Sequence, residues 1–153
     1  MINLALARTL LKRLSGLGYE WSVGNKTGKK IMTTRFELRT GYIHGWYELD
    51  ADKLISSTSH DFMFDDPAEP EPVNRASLPE YMIRWDKRTR LLGATNVWDL
   101  SDEVRQDSDG ILTDWEWWEL AGTDLCGMAI VKTRDDGVFF ERITYFGRLS
   151  NRS

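Results

Sequence analysis

The stretch from Cys126 to Leu149, CGMAIVKTRDDGVFFERITYFGRL, constrains the fold more than any other part of the chain. Two runs rich in apolar residues flank Asp136-Gly137, and Asp-Gly suits the two positive-φ positions of a type I′ hairpin turn. Closing the turn on those residues pairs 135 with 138 and, further down, 127 with 146. That register sets Lys132 opposite Glu141, Ile130 opposite Ile143 and Met128 opposite Tyr145, each a favourable cross-strand pair. Val138, Phe140 and Phe146 then share one face, and Phe139, Ile143 and Tyr145 the other. A strand apolar on both faces is expected to be central and covered.

Upstream, the spacing of Leu4, Ala7, Leu10, Leu11 and Leu14 predicts an amphipathic helix over residues 3–15, capped by Asn3 and ended by Gly16 and Gly18. Alternation predicts strands at Tyr19 to Val23, Ile31 to Leu38 and Gly41 to Leu49, the last bulged at Gly45. The basic loop GNKTGKK between the first two lacks phosphate-loop spacing. Asp50 caps a short helix ending near Ser57, and Thr58 to Phe64 is ambiguous. Residues 65–75 open with DDPAEPEPV and read as an acidic, proline-rich surface loop. Ser77 to Glu80 has the form of a capping box, but Tyr81, Ile83 and Trp85 alternate with polar neighbours, and the expectation is a strand. Asn96 to Leu100 reads as a short strand, Ser101 to Gln106 as a helical turn, and Trp115 to Leu120 as a strand beside the hairpin.

Residues 51–125 carry 17 acidic and 7 basic side chains within a chain of net charge −4. Such a surface disfavours nonspecific nucleic-acid binding and permits a basic ligand or partner at the middle. Cys126 is the single cysteine, which excludes an intrachain disulfide and suits a reducing, cytoplasmic setting. No apolar run reaches the roughly 18–20 residues of a membrane span. The N-terminus has charges within its apolar stretch and is expected to be a helix, not a secretion signal. The length and composition fit residues 1–153 as one domain.

Three motifs could carry chemistry. Arg105 to Glu116 follows the calcium-loop pattern at Asp107, Asp109, Gly110 and Glu116, but Arg105 puts a cation at the first ligand position, so no metal is expected. His44 and His60 are the only histidines, and Ser59-His60-Asp61 cannot form a triad locally because neighbours on a strand face opposite ways. Cys126 reads as a small core hydrophobe. The aromatic set Trp21, Trp46, Tyr47, Trp85, Trp98, Trp115, Trp117 and Trp118 exceeds what a core of this size needs and is the best signal for binding. The tandem pair Trp117-Trp118 sends one ring to each face of a strand.

The order Val97-Trp98-Asp99-Leu100, Trp118-Glu119-Leu120, Gly127 to Val131 and Asp136 to Phe146 resembles the C-terminal region of fungal heterokaryon-incompatibility (HET-type) proteins. Those chains close with a tryptophan-containing strand, an apolar strand and a strand of the type F-E-R-[IV]-G, where this chain has Thr144 at the glycine position. Phe36 to Arg39 followed by Gly41 resembles their earlier strand, and Phe62 to Pro67 their F-P-D-like loop. The resemblance implies an accessory module of a self-recognition or cell-death protein and transfers no catalytic residue.

The expected fold is mainly β within α+β: an antiparallel sandwich or open barrel with the N-terminal helix packed against it. The expected function is a non-enzymatic recognition module for a protein partner, a second copy of the chain among the candidates. Trp115, Trp117 and Trp118 would anchor that partner, and Glu116 and Glu119 would form an acidic rim. One alternative is a small-ligand or carbohydrate binder using exposed Trp. Another is a small hydrolase or isomerase built on His44, His60 and Asp61. No cofactor is expected.

Overall fold

The computed structural model describes residues 34–147. The expected helix over 3–15, the strand at 19–23, the basic loop and residues 31–33 lie outside the described residues. Three helices and six strands follow in order: α1 (Arg35–Glu48), α2 (Ala51–Ser56), β1 (Thr58–Asp65), β2 (Val73–Asn74), α3 (Leu78–Leu91), β3 (Asp99–Ser108), β4 (Ile111–Glu119), β5 (Leu125–Arg134) and β6 (Gly137–Gly147). The strands form one sheet in the order β2-β1-β6-β5-β4-β3. Every pairing is antiparallel except β1 with β6. The α+β expectation holds, but the sandwich does not: the described residues form one open sheet.

The strands expected through Leu38 and over Gly41 to Leu49 are one helix instead, α1. Thr34 caps it. Its hydroxyl accepts from Glu37 N at 3.3 Å, while Glu37 Oε2 accepts from Thr34 N at 2.7 Å, a complete capping box. The buried positions Arg39, Tyr42 and Trp46 recur at helical spacing and face the sheet. Gly45 is not a bulge. A Cβ there would lie 2.8 Å from Leu54 N, so the glycine lets α2 pack directly on α1. Asp50 caps α2 as expected, accepting from Lys53 N at 3.0 Å.

The strand expected at Tyr81 to Trp85 is also helical. Leu78, Tyr81, Met82, Trp85 and Thr89 form the buried stripe of α3, and Ile83 points to solvent. Ser77 makes no side-chain cap bond to this helix. Its hydroxyl instead accepts from Asn74 N. The helical turn expected at Ser101 to Gln106 is part of β3, a charged and exposed edge strand of the kind that resists edge-to-edge pairing.

The hairpin is present with a different turn and register. Asp135 and Asp136 form the turn, neither has a positive φ, and Arg134 pairs with Gly137. Gly137 is needed elsewhere: its φ is 139°, and a Cβ would come 2.5 Å from Thr58 C. Val138 N donates to Ser57 O at 2.9 Å, so the start of β1 sets this corner. Phe139 is bulged out between the pairs Thr133–Val138 and Lys132–Phe140. Below the bulge Ile130 faces Arg142, Met128 faces Thr144, and Glu141 faces Val131 rather than Lys132. The type I′ turn lies at the chain's other Asp-Gly, where Asp109 (φ 54°) and Gly110 (φ 77°) join β3 to β4.

Candidate functional site

Strand β4 alternates strictly. Leu112, Asp114, Glu116, Trp118 and then Leu120 are buried on the helix side, while Thr113, Trp115, Trp117 and Glu119 face out. The five residues expected to form one partner site are therefore split between two faces. Trp117 is 36% exposed on the outer face, and Trp118 is 5% exposed on the inner one. Glu116 is not a rim residue; it is buried. Cys126 is not core either: it is half-buried, pairs with Glu119 and Phe146, and its Sγ lies 3.2 Å from Phe146 O.

The inner acids meet α1. Arg39, fully buried, donates from Nε to Asp114 Oδ2 at 2.9 Å and from Nη2 to Glu116 Oε1. Burial opposes its charge, but Glu116, Asp114 and Glu141 outweigh that and hold the guanidinium above its ordinary range. Asp114 accepts a further bond from Arg105 Nε on the edge strand. One turn along α1, the Tyr42 hydroxyl donates to Glu141 Oε2. Glu116 Oε2 and Glu141 Oε1 have no hydrogen-bond partner among the described residues.

Both carboxylates line a cavity with about 420 Å³ of empty space, its mouth included. The walls are aromatic: Trp46 from α1, Phe64 from β1, Tyr81 and Trp85 from α3, half-buried Trp98 before β3, and Trp118 from β4. Ala129 and Ile143 complete the lining. Gly127 makes room for Trp118, since a Cβ there would lie 2.7 Å from the indole Cε2. The indole meets Trp85 and Tyr145 edge to face, which fixes its orientation.

Burial in this apolar setting pushes Glu141 up to about 7, against the pull of the Tyr42 bond and Arg39. Glu116 is also raised by burial, with Arg39 opposing. A second buried acid braces the cavity wall. Asp66 accepts from the hydroxyls of Tyr81 and Tyr145, each at 2.7 Å, from Arg88 at 3.1 Å and from Ala68 N at 2.8 Å. Burial and Asp66 raise the Tyr81 hydroxyl, which stays a neutral donor.

The remaining candidates lie elsewhere. His44 is on the exposed side of α1, 3.3 Å from Glu48. His60 and Asp61 are exposed on β1, and neither lines the cavity. Asp61 accepts from Ser59 and Arg134, and both bonds hold its carboxyl below the usual range. Arg134 also lies 3.3 Å from Asp136, so the exposed trio His60, Asp61 and Asp136 is already served by a guanidinium. The calcium-loop pattern does not converge. Asp107 pairs with Arg35 at 2.8 Å, Asp109 sits in the turn, and Glu116 is on Arg39. Sequence reasoning missed Arg39, Tyr42 and Glu141. The available signals were the Thr34–Glu37 capping box and a glutamate in the middle of an otherwise apolar strand.

No family model and no curated protein matches the sequence. Solved structures are similar in fold. An NTF2-like protein of unknown function from Cytophaga hutchinsonii matches with a TM-score of 0.55 at 8% identity, over 77% of this chain and 95% of that one. A candidate SnoaL-like polyketide cyclase from Shewanella putrefaciens matches with a TM-score of 0.53 at 13% identity, over 84% and 92%. A candidate ketosteroid isomerase from Parabacteroides distasonis matches with a TM-score of 0.54 at 16% identity, over 82% and 96%. The fold is thus NTF2-like, with an open sheet curved around its helices. These likenesses correct the expectation of a non-enzymatic recognition module. The names those proteins carry stand nearer to the isomerase alternative, and the His44, His60 and Asp61 expected for it lie outside the cavity. No helix among the described residues is long and apolar enough to cross a membrane.

Proposed function

We propose that this chain is an enzyme that moves a proton within a small, largely apolar molecule held in the cavity, with Glu141 as the acid–base group. The observation that supports this most is Glu141 itself: a carboxyl in an aromatic cavity, one oxygen held by Tyr42 and the other without a partner among the described residues, poised at about 7. A group poised near neutrality can take a proton from one atom and return it to another. Burial raises Glu116 as well, but Arg39 donates to it and opposes that rise. The aromatic walls exclude water and bind the apolar body of the molecule. Such a group is one requirement of isomerase and cyclase reactions, the names that proteins of similar fold carry. This reading rests on the geometry of the cavity and not on those names.

The test is hydrogen–deuterium exchange at the acidic CH₂ of 2-tetralone in D₂O, followed by proton NMR. Exchange above the buffer rate is expected, falling by roughly 100-fold or more in Glu141→Gln. Exchange at the wild-type rate in Glu141→Gln, or no exchange above buffer in the wild type, overturns the proposal.

A further inference from the structure

The charges around the cavity are unbalanced in a way that acid–base chemistry does not require. Four buried carboxylates lie in or behind its wall: Glu116 from β4 and Glu141 from β6 line it, Asp66 after β1 holds lining Tyr81, and Asp114 from β4 shares Arg39 with Glu116. Three guanidiniums answer them: Arg39 from α1, Arg88 from α3 and Arg105 from β3. With all of these ionised, the cluster carries one net negative charge. Most donors near the two cavity acids are already committed, the exception being Trp118 Nε1, which is buried without a partner among the described residues. Tyr42 donates to Glu141, Arg39 to Asp114 and Glu116, and Tyr81 to Asp66. Trp85 Nε1 is likewise spent on Val97 O at 3.2 Å. A negative charge developing on a bound molecule would have the Trp118 indole N–H as its one uncommitted buried donor, beside two carboxylates.

A positive charge meets the opposite situation. Among the described residues Glu141 Oε1 and Glu116 Oε2 are open acceptors, and six aromatic rings line the same space. Aromatic faces attract cations, and the attraction grows when both are desolvated. We infer that the molecule this cavity takes is an organic cation with a flat apolar body, a protonated amine or imine. The inference rests on the reading of the cavity as the site and names its substrate class.

The same charge supplies what the cavity lacks. In a protonated imine, the carbon next to the C=N⁺ bond is acidic. Glu141 carboxylate takes a proton from that carbon, and the C–H electron pair becomes a C=C bond. The C=N π pair settles on nitrogen, leaving a neutral enamine and a protonated Glu141. Returning the proton to the far end of a conjugated enamine gives the isomer. The electron sink is the substrate's own nitrogen, so no oxyanion donor is needed.

The experiment compares two molecules with one bicyclic body: 2-aminotetralin, an alkylammonium below pH 9, and neutral 2-tetralol. Affinities for the full chain are measured by calorimetry at pH 8.5 and pH 5.5, for the wild type and Glu141→Gln. The ammonium should bind at least tenfold tighter than the alcohol at pH 8.5. The ratio should fall several-fold at pH 5.5, where Glu141 is protonated, and by a similar factor in Glu141→Gln at both pH values. Equal or tighter binding of the alcohol at pH 8.5 overturns the inference, as does a preference indifferent to both pH and the substitution. The wild-type pH comparison stands even if the variant folds poorly. Failure here with Glu141-dependent tetralone exchange intact removes the cation and leaves the enzyme reading. A cation preference without such exchange does the reverse.

Discussion

Replacing Glu141 by Gln tests the electrostatics of the cavity without any substrate. In the folded chain burial pushes Glu141 from an ordinary 4.5 up to about 7. Between those values the folded state holds a proton that the unfolded state has lost, so stability falls as pH rises. The contribution is fully present below pH 4.5 and gone above pH 7. At about 1.4 kcal/mol per pH unit, the loss across the window is about 3 kcal/mol. Gln keeps an acceptor for the Tyr42 hydroxyl and never ionises. The variant should therefore gain about 3 kcal/mol relative to the wild type between pH 4.5 and pH 8.5. Urea slopes of about 1–3 kcal/mol/M turn that into a midpoint shift of about 1 M or more. Glu116 is raised for the same reason, but it is present in both proteins and largely cancels in the difference. Parallel pH dependences in the two proteins would show that Glu141 is not forced to bury its charge, and the acid–base assignment would lose its basis.

Two further substitutions test the architecture. Trp118→Ala should cost about 3–5 kcal/mol in urea denaturation, because it empties a buried wall, whereas Trp117→Ala on the outer face should cost less than about 1; equal costs would refute the assignment of faces. Gly137→Val should cost more than about 1 kcal/mol, since its Cβ collides with β1 at a positive φ, and an unchanged midpoint would remove β1 from that corner.

Much of the sheet was legible because its signals are local. The alternation of Trp115 to Leu120, the short capped α2 and the existence of a hairpin at 126–147 all follow from neighbours a few residues apart. The helices α1 and α3 were misread for a common reason. Tyr42, Trp46 and Tyr47, like Tyr81 and Trp85, are aromatic residues that favour strands on propensity, and tertiary burial overrides that preference. The correct period was present at Arg39, Tyr42 and Trp46, but it included an arginine, so it did not read as an apolar stripe. The two Asp-Gly pairs show a different limit. Both fit a type I′ turn, yet only Asp109-Gly110 forms one. Gly137 is reserved for contact with Ser57 to Ser59, a constraint some 80 positions away in the chain.

The site was hidden by a single step of register. Set against Lys132, Glu141 reads as half of an exposed ion pair; set against Val131 below the Phe139 bulge, it turns inward among aromatic rings. Its surroundings come from distant parts of the chain. Arg39 reaches Asp114 and Glu116 across 75 and 77 positions, and Tyr42 reaches Glu141 across 99. None of these pairings has a local signature, because each joins one face of α1 to the far strands of the sheet. It follows that α1 supplies the groups that oppose the rise burial gives both cavity acids. Arg39 and Tyr42 lie three residues apart on one face, so a displacement of that helix loosens both carboxylates together. Arg105 holds Asp114 from the edge strand and leaves Arg39 free to serve Glu116 as well. A charge removed at Arg105 would thus reach the cavity acids through Asp114 and Arg39, although Arg105 itself does not line the cavity.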